Sequence, residues 1–397
     1  MSSKKEILIG LKKLGIFFVI LLGLFGLLYL NNIGAWFRTQ NYKPPYLSFI
    51  GDPQTSIGIS FETPQACNAT IYYGLSSSNL NMSQTENQVR TLHFFNLTNL
   101  LPDTTYYYLI NATEATYAFM NKVEQFHTAP AFGSKSLFRF AVLGDTRPDI
   151  FGFSKHSEIL QLIKARNPRF VLNVGDIVMG PTRDDHWDRF FNEIHVLTKN
   201  VPYMVSMGNH EHHEWGGEHD AGQTYLKYMN YPGIEWYYSF NYSNVCFISM
   251  NIEDEDILTQ TQLDWLNQTL FKANNSPEIN WIILYFHVPP YSATENHPEI
   301  IEKVVQPYFI PYRVDLVFAG HHHHYERLEV DGIPYIITGG GGAELEVYLG
   351  ETQWTQCAAN TYQFCDVVVN GTQLSVTCID YNNLVIDQLN LTAWRNV

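Results

Sequence analysis

Asp145 in a GDTR segment, Asp176 in GD, Asn209 and His210 in GNHE, His287, and His321 and His323 in GHHH are side chains of the kinds that ligate metal ions. Mixed carboxylate, amide and imidazole donors suit iron, zinc or manganese. Two such ions side by side turn water into a nucleophile at neutral pH. The elements that must position these residues lie directly before them. The clusters follow the apolar runs FRFAVL, RFVLNV, PYMVSM, WIILYF and VDLVFA, each short and rich in β-branched or aromatic residues. Such runs predict buried strands that end in ligand-bearing loops. In an open α/β sheet, strands present ligands at their carboxyl ends, so five strand ends can bring the clusters to one crevice.

The chain has 397 residues, 45% of them hydrophobic and 15% aromatic, enough for two domains with sizeable cores. A net charge of -15 excludes a nucleic-acid backbone as the natural partner, which would require a basic stripe. Lys4, Lys5, Lys12 and Lys13 precede an apolar run from Leu14 to Leu30, closed by Trp36 and Phe37. That run is at the lower limit of a membrane-spanning helix and has no evident cleavage site. We therefore expect a cytoplasmic tail over 1–13, a signal anchor over 14–36 and an extracellular remainder, secreted if the segment is cleaved. Nine Asn-x-Ser/Thr sequons, at Asn68, Asn81, Asn96, Asn111, Asn241, Asn267, Asn274, Asn370 and Asn390, agree with a glycoprotein outside the cell. Cys357, Cys365 and Cys378 are close enough in sequence for one disulfide, whereas Cys246 in VCFISM reads as a buried thiol.

Residues 37–130 alternate in short strands with turn signals and predict a β-sandwich. The stretch LTNLLPDTTYYYLI resembles the corner of fibronectin type III domains, where a Leu-x-Pro turn enters a Tyr-rich strand. After a linker, AFGSKS at 131–136, an α/β pattern runs over 137–395. Helices are expected in HSEILQLIKAR, DDHWDRFFNEI and TQTQLDWLNQTLFKA, where Leu263, Leu266 and Leu270 share a face widened by Trp265 and Phe271. The final segment alternates at period two around Asn-Gly and Asn-Asn turns and should form closing antiparallel strands.

Taken together, the clusters resemble the calcineurin-like metallophosphoesterases, and GHHHHYER at Gly320 to Arg327 is similar to a segment of the purple acid phosphatases. The resemblance extends to the sandwich, the Gln262 to Leu266 helix and the ITGGGGAE run. It implies a four-layer fold with helices flanking two central sheets, and hydrolysis of a phosphate ester, a monoester above all, by hydroxide activated at two metals. It further implies that Asp176 bridges the ions, that Asp145 and His323 hold the first, and that Asn209, His287 and His321 hold the second. His210 would be the general acid and Glu211 an orienting residue. Should the segment be extended, His322 and His324 would point away from the metals.

Two positions depart from the family. Purple enzymes carry a metal-binding tyrosine where this chain has Met179, and other metallophosphoesterases carry a histidine where it has Arg147. The fourth ligand of the first metal is then His156, water or none, and without one that metal would be weakly held. Arg147 either clamps a substrate phosphate or pairs with Asp149 or another neighbour. The expected substrate is a phosphorylated small molecule or surface group. A phosphodiesterase or nucleotide hydrolase, and an inactive surface adhesion protein, are the competing readings.

Overall fold

The computed structural model describes residues 42–112, 119–213, 222–252, 258–346 and 350–396. The predicted tail and anchor, 1–36, lie outside the described residues. Among the described residues no helix is long and apolar enough to cross a membrane.

Seven strands come first: β1 (Lys43–Ser48), β2 (Ile57–Cys67), β3 (Ala69–Gly74), β4 (Met82–Thr85), β5 (Arg90–Leu97), β6 (Thr105–Ala112) and β7 (Glu124–His127). They form two antiparallel sheets, β1-β2-β5 and β4-β3-β6-β7. In β6, Tyr106, Tyr108 and Ile110 are buried while Thr105, Tyr107 and Leu109 are half-buried, the period-two pattern of a strand with one face on a core. The corner before β6 closes when the Leu101 N–H donates to Tyr106 Oη at 3.0 Å. The sandwich is tied to the α/β part at several points. Lys43 of β1 donates to Asp188 at 2.9 Å, Tyr46 packs on Phe191 with ring centroids 4.4 Å apart, and Gly133 N–H in the linker donates to Ser243 at 2.9 Å.

The larger part contains β8 (Phe138–Leu143), β9 (Val171–Asn173), β10 (Tyr203–Val205), β11 (Tyr238–Tyr242), β12 (Val245–Ser249), β13 (Trp281–Tyr285), β14 (Leu316–Ala319), β15 (Tyr325–Val330), β16 (Ile333–Thr338), β17 (Thr355–Ala359), β18 (Gln363–Asn370), β19 (Gln373–Asp380) and β20 (Val385–Thr392). One sheet has the order β10-β9-β8-β18-β19-β20 and the other β11-β12-β13-β14-β16-β15-β17. Within them β8, β9 and β10 run parallel, as do β12, β13, β14 and β16. The closing strands β18 to β20 are antiparallel, as their turns predict.

The central parallel strands β12, β13, β14 and β16 are buried along their whole length because they are covered on both faces. In β13, Trp281, Ile283 and Tyr285 join the core between the sheets, where Phe247 meets the stacked Phe140 and Phe170 edge to face, while Ile282 and Leu284 pack beneath the helix Gln260–Asn275. Helices His156–Arg166 and Asp184–Thr198 bury Ile159, Ile163, Phe190 and Ile194 on the six-stranded sheet.

Two expectations need correcting here. Phe271 does not widen the buried face of its helix: it is 59% exposed, because Leu263, Leu266 and Leu270 already fill the width available. No disulfide forms among the described cysteines. Cys365 and Cys378 stand opposite each other in β18 and β19, but their thiols turn to Thr338 and Gln363, and Cys357 lies apart on β17. Cys246 is a buried thiol, pushed up to about 12 by burial.

Candidate metal centre

Every cluster sits where a parallel strand stops: Asp145 after β8, Asp176 after β9, Asn209 after β10, His287 after β13 and His321 after β14. The loops are not relaxed. Asp145, Asp176 and His321 hold φ of 54°, 57° and 70°, a left-handed backbone that costs non-glycine residues on the order of 1–3 kcal/mol each. The surroundings hold them there. Asp145 N–H donates to Gly175 O at 2.9 Å, Thr146 and Arg147 N–H both donate to Asp176 O, and Ala343 N–H donates to Asp145 O at 2.7 Å.

The glycine-rich run after β16 explains part of this bracing. A Cβ on Gly341 would stand 2.2 Å from Gly144 O, so only glycine lets that loop press against the Asp145 turn. Likewise a Cβ on Gly208 would stand 2.4 Å from Asp176 Oδ1.

Glu211 is fully buried and accepts four backbone N–H groups: Gly208 and Asp176 on Oε2 at 2.8 and 2.9 Å, Ile177 and Val178 on Oε1 at 2.9 and 3.2 Å. This one carboxyl welds the Asp176 loop to the Asn209 loop. Burial, then the neighbouring Asp176 charge, raise it to about 7 against the pull of the amides. A cation held by Asp176 would cancel the second cause.

His287 Nδ1 lies 2.8 Å from Val174 O, and His323 Nδ1 2.6 Å from Glu344 O. A carbonyl only accepts, so both Nδ1 atoms carry hydrogen and both Nε2 atoms turn inward, the arrangement that prepares histidine as a metal ligand. Nε2 of His287 then faces Asp176 Oδ1 at 3.3 Å, and Nε2 of His323 faces Asp145 Oδ1 at 3.4 Å. A lone pair facing a carboxylate is repulsive unless a cation stands between. Burial opposes a proton there, but the Asp145 hydrogen bond and charge hold His323 up at about 9, and Asp176 and Asp145 likewise raise His287. Burial works to raise Asp176 as well, yet His287, His210 and Arg147 hold its carboxyl far below the usual range.

The donor spacing itself fits a metal. Asn209 Oδ1 is 3.0 Å from His287 Nε2 and 3.2 Å from His321 Nδ1, and His321 Nδ1 is 3.3 Å from His287 Nε2. A tetrahedral shell with bonds of about 2.0 Å has donor separations of roughly 3.3 Å. Asn209, His287 and His321 thus stand at the mutual spacing of donors in one shell, with Asp176 Oδ1 3.3 Å from His287 Nε2. Asp145, Asp176 and His287 also converge as a buried group. Burial, and then the charge of His287, drop His321 to about 3, so it offers a free lone pair.

His210 lies beside this set, with Nδ1 donating to Met179 O at 2.9 Å and Nε2 turned inward, 3.8 Å from Asp176 Oδ2. Burial holds it below the ordinary histidine value despite Asp176. Arg147 turns away from Asp149, whose carboxylate instead caps Phe151 and Phe153. Its Nε is 3.6 Å from Asp176 Oδ2 and its Nη1 is 3.3 Å from Met179 Sδ. His156 faces Glu193, with Nδ1 3.1 Å from the carboxylate, because Glu193 on the next helix reaches it first. His322 and His324 do point away from Asp145, toward Glu346 and Glu326, although the backbone is bent through successive tight turns and not extended. His212 turns to Asn251. The braces from Gly341 and Glu344 were not assigned from sequence; four consecutive glycines after a strand were the available signal.

Residues 138–325 match the calcineurin-like phosphoesterase family and residues 43–128 match the purple acid phosphatase N-terminal domain. Purple acid phosphatase 15 of Arabidopsis thaliana is 28% identical over 295 residues, covering 63% of this chain. Phosphoenolpyruvate phosphatase of Allium cepa is 28% identical over 268 residues, again 63% of this chain. The chain spans about half of each of these relatives, 53% in both. Among solved structures, purple acid phosphatase from yellow lupin (Lupinus luteus) seeds has the same fold, with a TM-score of 0.74 at 18% identity over 89% of this chain and 75% of that one. The chain carries a calcineurin-like phosphoesterase domain behind a purple acid phosphatase N-terminal domain, and its homologues are purple acid phosphatases.

Proposed function

We propose that the protein hydrolyses phosphate monoesters with two metal ions held by Asp145, Asp176, Asn209, His287, His321 and His323. The observation that carries this reading is the set of inward-facing Nε2, Nδ1 and carboxylate atoms, which repel one another unless cations lie among them. The ions, of iron, zinc or manganese, would supply a nucleophile from water and neutralise phosphoryl charge. The remaining work falls to the chain. Arg147 offers planar donors to phosphate oxygens beside Asp176. His210, fixed through Nδ1, presents Nε2 to pass a proton to the departing ester oxygen, and the charge of a bound phosphate favours its protonated form.

His210→Ala is expected to keep its metal but to lose about 10²- to 10⁴-fold in turnover on alkyl phosphates, the usual contribution of a positioned acid. On 4-nitrophenyl phosphate, whose leaving group needs little protonation, the loss should be much smaller. Steady-state kinetics on both esters checks this, and equal losses would remove His210 from the acid role.

We place the catalytic part outside the cell, held to a membrane by residues 14–36. The basic residues before that run support this, as do the nine sequon asparagines, none of them buried among the described residues. Protease added to intact cells should digest the carboxyl-terminal part and spare a tag at Met1. The opposite pattern would reverse the orientation.

A further inference from the structure

The two positions that depart from the family touch each other. Arg147 and Met179 come from different loops, yet Arg147 Nη1 lies 3.3 Å from Met179 Sδ and Arg147 Nε lies 3.6 Å from Asp176 Oδ2. That Nε is buried and has no hydrogen-bond partner. The contact is therefore on the side of Asp176 that faces away from His287, since Oδ1 is the atom turned to His287. The donors that the resemblance implies for the first ion, Asp145, His323 and Asp176, are three where its second set has four; Asp145 Oδ1 lies 3.4 Å from His323 Nε2 and 4.0 Å from His287 Nε2. His156 does not fill the gap, being committed to Glu193.

Resting on the phosphoesterase reading above, we propose that the two metal positions are unequal: the ion among Asp176, Asn209, His287 and His321 is held tightly, and Arg147 with Met179 takes the place of a ligand at the other, leaving it weak and exchangeable. A guanidinium cannot lose its proton, so it repels a metal cation beside it at every working pH. It also neutralises part of the Asp176 charge that would otherwise attract the ion. The thioether is a soft donor, poorly matched to a hard ferric ion, and it packs along the guanidinium. The guanidinium thus stands in for part of the positive charge a second ion brings, while remaining able to meet a phosphate oxygen.

The test is a metal titration of the full chain after chelator stripping, by calorimetry with zinc and by elemental analysis after dialysis. The wild type should retain about one equivalent and bind a second at least about 100-fold more weakly. Arg147→His, which supplies an imidazole, should bring the two affinities to within about tenfold. Met179→Tyr loaded with ferric iron should gain a visible tyrosinate band that the wild type lacks. Two equivalents of comparable affinity in the wild type overturn the inference while leaving the phosphoesterase reading intact, whether or not either variant folds. An Arg147→His protein with native circular dichroism and an unchanged affinity ratio also overturns it. Binding of no metal at all would instead overturn the reading on which it rests.

Discussion

Asp176→Asn is expected to lose its bound metal on dialysis and at least about 10⁴-fold in kcat/KM, ~5.4 kcal/mol of transition-state stabilisation. Asp176 turns its two oxygens to different sides of the site, Oδ1 toward His287 and Oδ2 toward Arg147 and His210. Asparagine has the same shape and keeps an oxygen for the His210 N–H that Oδ1 now accepts at 3.0 Å, so the loop should survive. It lacks the charge, and it places an amide N–H where a cation must bind. Elemental analysis and steady-state kinetics on the folded variant check this. Retention of wild-type metal with turnover within tenfold would deny Asp176 its central place.

The largest effect on stability is expected at Glu211. Alanine there removes the acceptor for four buried backbone N–H groups at once, each worth about 1–3 kcal/mol when left unmatched. Water entering the space offsets some of this, so we expect a loss on the order of 4 kcal/mol, an unusually large value for one substitution. At roughly 2 °C per kcal/mol, Tm should fall by about 8 °C. Glu211→Gln keeps one accepting oxygen and turns an NH₂ toward the other donors, so it should melt in between. A melting curve for the alanine variant within about 2 °C of wild type would show that the amides find other partners.

The metal donors were legible in the sequence because aspartate, asparagine and histidine stand beside glycines directly after apolar runs, and β8, β9, β10, β13 and β14 lie where those runs are. The helices could be read from their periodicity, down to Leu263, Leu266 and Leu270. What escaped depended on meetings between distant segments. Nothing near Arg147 in sequence announces that it faces Met179, and nothing near His156 announces Glu193 on the following helix. Glu211 was expected as an orienting residue, but which amides it holds depends on the Asp176 loop folding over it. A cysteine count suggested a bridge, but only the packing decides which way Cys365 and Cys378 turn.

The register of the six-stranded sheet also bears on how the protein is made. Val142 of β8, three residues before Asp145, pairs with Cys365 of β18, and β18 in turn pairs with β19 near the end of the described chain. The earlier strand must therefore wait for a partner synthesised more than two hundred residues later. Contacts so far apart in sequence make folding slow and leave an unpaired edge on the nascent chain, open to wrong associations. A chain truncated before β18 would leave β8, the strand that leads into the Asp145 turn, with an open edge, and should be prone to aggregation.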